Sequence, residues 1–75
     1  RLDPRLALPK KRSLTIAGHR TSITLEDAFW VELKGAAAEM GLTVAGLVAA
    51  IDACRGPASL SAAIRVVLLA RRSAP

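Results

Sequence analysis

The sequence predicts a mostly α-helical fold with one short β-strand, completed by a second copy of the chain. Three observations carry that expectation. The stretch His19-Arg20-Thr21-Ser22-Ile23-Thr24-Leu25-Glu26 alternates polar and apolar residues at the two-residue period of a half-buried strand. Downstream, apolar residues recur at helical spacing in three segments, broken at Gly41 and at Gly56-Pro57. A lone strand leaves a row of backbone groups unpaired, so it calls for a partner strand, most simply the same strand of another subunit. With 75 residues and only Phe29 and Trp30 as aromatics, the chain builds a core near the lower limit of independent stability. An obligate dimer with an intersubunit antiparallel ribbon is the economical solution.

Residues 1–11 contain Pro4 and Pro9 among Arg1, Arg5, Lys10 and Lys11, show no periodicity, and read as a flexible basic arm. The folded domain is then residues 12–75. Two segments at its start alternate, Arg12 to Ile16 and Arg20 to Leu25, and either can supply the strand. The second sorts its side chains more cleanly, with Thr21, Ile23 and Leu25 on one face and Arg20, Ser22 and Thr24 on the other. The first pairs beside it or belongs to the arm.

The first helix is expected from Thr24 or Leu25, with Glu26 and Asp27 at the positive end of its dipole. Phe29, Leu33, Ala36, Ala37 and Met40 form its apolar stripe, Trp30 lies at the edge of that stripe or on the partner, and Gly41 ends the helix in a left-handed conformation. Thr43 is a natural N-cap for the second helix, whose Val44, Leu47, Val48 and Ile51 share a face, while Gly46 allows close backbone approach. Arg55-Gly56-Pro57 stops it. Ser59 or Ser61 caps a third helix over about 59–72, with Leu60, Ile64, Val67 and Leu68 on one face and Val66 and Leu69 widening it. Only Arg65 interrupts its central turns, which predicts burial on more than one side. Ser73-Ala74-Pro75 is expected to fray. The expected dimer core is Ile23, Leu25, Phe29, Leu33, Leu47, Val48, Ile51, Ile64 and Leu68.

Charge is unevenly distributed. The net charge of +5 resolves into +5 over residues 1–20, −4 over 21–54 and +4 over 55–75. A basic N-terminal block ahead of a mildly acidic helical body is the asymmetry of a nucleic-acid binder. Catalysis lacks its parts. Glu26 and Asp27 are adjacent and diverge on a helix, no serine has a histidine at a recognisable motif, and the five glycines are scattered. One cysteine and one histidine make neither a disulfide nor a metal site, and Cys54 on an apolar helix face is expected to pack in the core. The reading is a non-enzyme with no cofactor. Val66-Val67-Leu68-Leu69-Ala70 is too short to span a bilayer, and with no apolar leader at its start the chain reads as cytoplasmic, without a membrane partner.

Arg20-Thr21-Ser22-Ile23-Thr24-Leu25-Glu26-Asp27, a helix closing on Ala38-Glu39-Met40-Gly41-Leu42, then Thr43-Val44-Ala45-Gly46-Leu47-Val48, resembles a ribbon-helix-helix DNA-binding domain of the Arc and methionine-repressor type. The likeness is closer to small bacterial members that share a stretch like His19-Arg20-Thr21-Ser22-Ile23 followed by Ala28-Phe29-Trp30, and it covers about residues 12–72. It implies an intertwined dimer whose ribbon enters the DNA major groove. It implies Arg20, Ser22 and Thr24 as base readers and Thr43 and Val44 as a phosphate anchor on backbone N–H groups. The nearby Lys10, Lys11 and Arg12 are expected to contact phosphates as well. The function so implied is a sequence-specific transcriptional repressor or regulator acting on double-stranded DNA as a homodimer, with dimers stacking on DNA as a further option. The alternative is a protein–protein interaction module, antitoxin-like or adaptor, on the same dimeric fold. The chain departs from the resembled pattern at Thr21, a polar inward residue, at Val44 after the cap, and in its third helix, which lies beyond the minimal two-helix unit.

Overall fold

A computed structural model describes residues 3–73; Arg1 and Leu2 of the expected arm and Ala74 and Pro75 of the expected frayed end lie outside the described residues. After a short 3-10 turn at Pro4–Ala7, the chain forms β1 (Pro9–Ile16), β2 (His19–Glu26), α1 (Asp27–Glu39), α2 (Val44–Cys54) and α3 (Leu60–Ser73). The two alternating segments do not compete for one strand. They pair antiparallel with each other, from Ile16 opposite His19 to Pro9 opposite Glu26. The ribbon of the sequence expectation is present, with its second strand drawn from the same chain, which corrects the single strand to a hairpin.

The turn explains the difference. Two residues, Ala17 and Gly18, join the strands with φ of 52° and 82°. Positive φ at both positions makes a turn whose twist matches that of the flanking strands. Glycine adopts it freely, but alanine does so at a cost of about 1–2 kcal/mol, so the Ala-Gly pair advertises the hairpin weakly. Pairing with Lys11 and Lys10 also holds Thr24 and Leu25 extended. The first helix therefore starts at Asp27, two or three residues later than expected, and Pro9, Lys10 and Lys11 belong to β1 and not to an arm.

The helix ends follow their local chemistry. Past α1, Gly41 takes φ 69°, and the N–H groups of Gly41 and Leu42 donate to the carbonyls of Ala38 and Ala37 at 3.2 and 2.8 Å. Thr43 caps α2, its Oγ1 accepting from Gly46 N–H at 2.9 Å. A Cβ at position 46 would lie 3.1 Å from that oxygen, so the glycine leaves room for the cap. Ser59 caps α3 by accepting from Ala62 N–H at 3.1 Å. Ser61, the other expected cap, instead accepts from Thr24 N–H of β2 at 3.1 Å.

The core lies between one face of the hairpin and the three helices. Ile23, Leu25, Leu33, Leu47, Val48, Ile51, Ile64 and Leu68 are all buried there, together with Ile16, Ala36, Ala37 and Ala63, within a single chain. Phe29 and Trp30 are half-buried at its rim. Met40 and Cys54 are exposed, contrary to expectation, because each sits in the last turn of its helix or just past it, beyond the packed face. Helix α3 is buried on one side only. Its other side leaves Val66 and Leu69 66% and 64% exposed, since no element among the described residues packs outside it.

Candidate nucleic-acid interface

Alternation in β1 and β2 divides the hairpin into two faces. Arg12, Leu14 and Ile16 of β1 and Thr21, Ile23 and Leu25 of β2 turn toward the helices. Between the turn and its far end at Pro9–Glu26, the opposite face carries three cross-strand pairs, Lys11 with Thr24, Ser13 with Ser22 and Thr15 with Arg20. All six side chains belong to exposed residues. No aspartate or glutamate occurs from Pro9 through Leu25, so this face is cationic and rich in hydroxyls. Adjacent strands lie about 4.8 Å apart, so the ribbon is narrow enough for a major groove about 12 Å wide.

The three residues expected to read bases, Arg20, Ser22 and Thr24, stand side by side on this face. Of the three expected phosphate cations, only Lys11 joins them. Lys10 and Arg12 point to the helix side, where Lys10 Nζ donates to Asp27 Oδ2 at 2.9 Å and Arg12 Nη2 donates to Asp27 Oδ1. The Arg12 guanidinium also lies 4.7 Å from the centre of the Trp30 ring, and its Nε donates to the Leu25 carbonyl at 3.3 Å. Arg12 thus clamps the start of α1 to the hairpin. Thr43 and Val44 stand at the α2 N-terminus. The Thr43 hydroxyl is committed to its own helix, and Val44 packs against the core, so any anion contact there falls to backbone N–H groups.

A second clamp holds β2 to α3. Arg65 donates from Nε to Glu26 Oε1 at 2.9 Å and from Nη2 to Glu26 Oε2 at 3.1 Å and to the Thr24 carbonyl at 3.3 Å. This bidentate pair neutralises the carboxylate closest to the cationic face. The sequence reading saw Arg65 only as an interruption of an apolar helix; its partner is 39 residues away.

Both clamp carboxylates titrate below their ordinary values. Glu26 is held below 4.5 chiefly by the hydrogen bond from Arg65, and Asp27 below 3.8 by hydrogen bonds from Lys10 and then Arg12. A carboxyl with a depressed native pKa stabilises the fold above its unfolded value, and that contribution disappears as pH falls through the native one. Stability is therefore expected to be level down to about pH 5 and to decline below it. Asp27→Asn should lower stability at neutral pH and flatten the acid decline, measured as urea midpoint against pH. Parallel curves for the two proteins would show that the Asp27 clamp contributes nothing.

Among the described residues, no group of three His, Cys, Asp or Glu side chains stands together as a metal site, and no single helix is long and apolar enough to cross a membrane. Compared with known families, residues 9–71 match the model of the ribbon-helix-helix domain. Neither the curated proteins nor the solved structures contain a match to the chain.

Proposed function

Because this chain belongs to the ribbon-helix-helix domain family, whose members are generally DNA-binding regulators, we propose that it is a sequence-specific DNA-binding regulator that inserts its hairpin into the major groove. The observation that carries the reading is the outer face of the hairpin, where Lys11 and Arg20 stand among Ser13, Thr15, Ser22 and Thr24 with no carboxylate between them. Arg20 is the specificity residue, since a guanidinium makes a bidentate contact to guanine, and the hydroxyls read less selectively. Lys11 supplies charge toward the backbone. The role is regulatory and non-enzymatic, and repression is its simplest form, by occupying a site.

A homodimer is part of the proposal. Val31, Met40, Val66 and Leu69 are large apolar residues left exposed on the helices, and a second copy would remove them from water. Width argues that the copies meet through helices and not through β1. Four strands side by side would span about 14 Å between the outer strands, more than the groove accepts.

Fluorescence anisotropy of labelled duplex DNA over a salt series tests the function. Saturable binding whose log affinity falls steeply with log salt is expected, with a slope near −0.9 for each phosphate neutralised. No binding to any duplex at low salt would refute the reading.

A further inference from the structure

Beside the outer edge of β2, near the hairpin turn, lies a cleft of about 340 Å³ between the hairpin and the α2–α3 connection. His19, Arg20 and Ser22 form its hairpin wall; Asp52, Arg55 and Leu60 form the other. The β2 edge is treated differently along its length. At Thr24 it is closed by α3, with the N–H donating to Ser61 and the carbonyl accepting from Arg65. In an antiparallel pair, outward-pointing backbone groups recur at every second residue, so those of Ser22 and Arg20 belong to the same edge. Neither of these two N–H groups has a partner among the described residues, and both residues line the cleft.

Arg55 faces them. Its Nε donates to Asp52 Oδ1 at 2.6 Å and its Nη1 to the Ala58 carbonyl at 2.6 Å, which fixes the guanidinium in place and leaves Nη2 uncommitted. The Arg20 side chain has no partner among the described residues. The cleft therefore sets Arg55 and two unpaired backbone donors, beside His19, against one carboxylate, which Arg55 already neutralises. That donor set is complementary to a phosphate group.

We infer that this cleft is a phosphate-binding subsite, held by Arg55 and the backbone N–H groups of Arg20 and Ser22, which grips the DNA strand bordering the groove. The inference rests on the hairpin reading for its source of phosphate. With the outer face of the ribbon directed at base edges, the flank of β2 faces a groove wall, where the phosphates run. Contacts of this kind fix register without reading sequence. Asp52 acts as the counterweight that keeps Arg55 oriented and limits its attraction for the anion.

The experiment has two arms. In the first, wild type, Arg55→Ala and Asp52→Asn, each checked for helicity by circular dichroism, bind labelled duplexes of several sequences over a salt series. Arg55→Ala should make the log–log slope shallower by about 0.9, equally for every sequence, and Asp52→Asn should tighten binding. An unchanged slope in a folded Arg55→Ala overturns the subsite while leaving the hairpin reading intact. If Arg55→Ala does not fold, an Asp52→Asn affinity equal to wild type overturns it. In the second arm, inorganic phosphate is titrated into the ¹⁵N-labelled chain. Saturable shifts of the Arg20 and Ser22 amides, absent in Arg55→Ala, are expected. If wild type binds no duplex, the hairpin reading fails, and this arm decides alone: the same shifts retain the cleft as a site for free phosphate, and their absence overturns it.

Discussion

Leu25→Ala is expected to remove about 2–5 kcal/mol of stability, the range for truncating a fully buried leucine without collapse of the space it leaves. Leu25 is fully buried at the junction of β2 with the helices. A domain of 75 residues has a total stability of about 4–11 kcal/mol, so this one change takes a large share of it. Urea unfolding followed by circular dichroism reads the loss as a lowered midpoint. Val66→Ala provides the contrast. Val66 is 66% exposed in the chain, so in an isolated monomer its truncation should fall within about 0.5 kcal/mol of neutral. If a second copy covers α3, the Val66→Ala penalty should grow as protein concentration rises through the dimerisation range. A Leu25→Ala midpoint equal to wild type would contradict the intrachain core.

The second large effect concerns Arg20. Replacing it with alanine should erase about 1–3 kcal/mol of discrimination between the preferred site and unrelated duplex, roughly a tenfold to hundredfold fall in preference. The fold should tolerate the change, since Arg20 is exposed and its side chain makes no hydrogen bond or ion pair among the described residues. A matching Lys11→Ala behaves differently if Lys11 meets the backbone. It weakens binding to all sequences alike and makes the salt slope shallower by about one phosphate.

Much of the fold was legible because local chemistry marks its boundaries. Gly41 and Thr43 fix the first interhelical break, Gly56-Pro57 fixes the second, and the alternation of Thr21, Ile23 and Leu25 with Arg20, Ser22 and Thr24 assigns the faces of β2. The hairpin itself was less legible. Arg12 to Ile16 alternates well enough to be a strand, but a turn built on alanine with positive φ lacks the usual Asn-Gly or Asp-Gly signal. Burial on two sides of α3 was read from composition, which cannot tell apolar surface buried within a chain from apolar surface left for another one.

The candidate site divided along the same line. Residues placed by strand alternation fell on the expected face, because that periodicity is local. Arg12 and Lys10 did not, because a cation in a basic cluster reads as a phosphate contact until its partner is known, and Asp27 lies 15 residues from Arg12. Arg55 was read as part of a helix stop. Its place across a cleft from β2 depends on how α2 and α3 pack, which no local pattern encodes.

The central claim is that the outer face of the hairpin reads DNA sequence, and selection from a random duplex pool tests it most directly. Wild type should enrich a defined motif, and Arg20→Ala, equally folded, should lose preference at its guanine while retaining salt-sensitive binding. Enrichment of the same motif with the same strength by Arg20→Ala would contradict it.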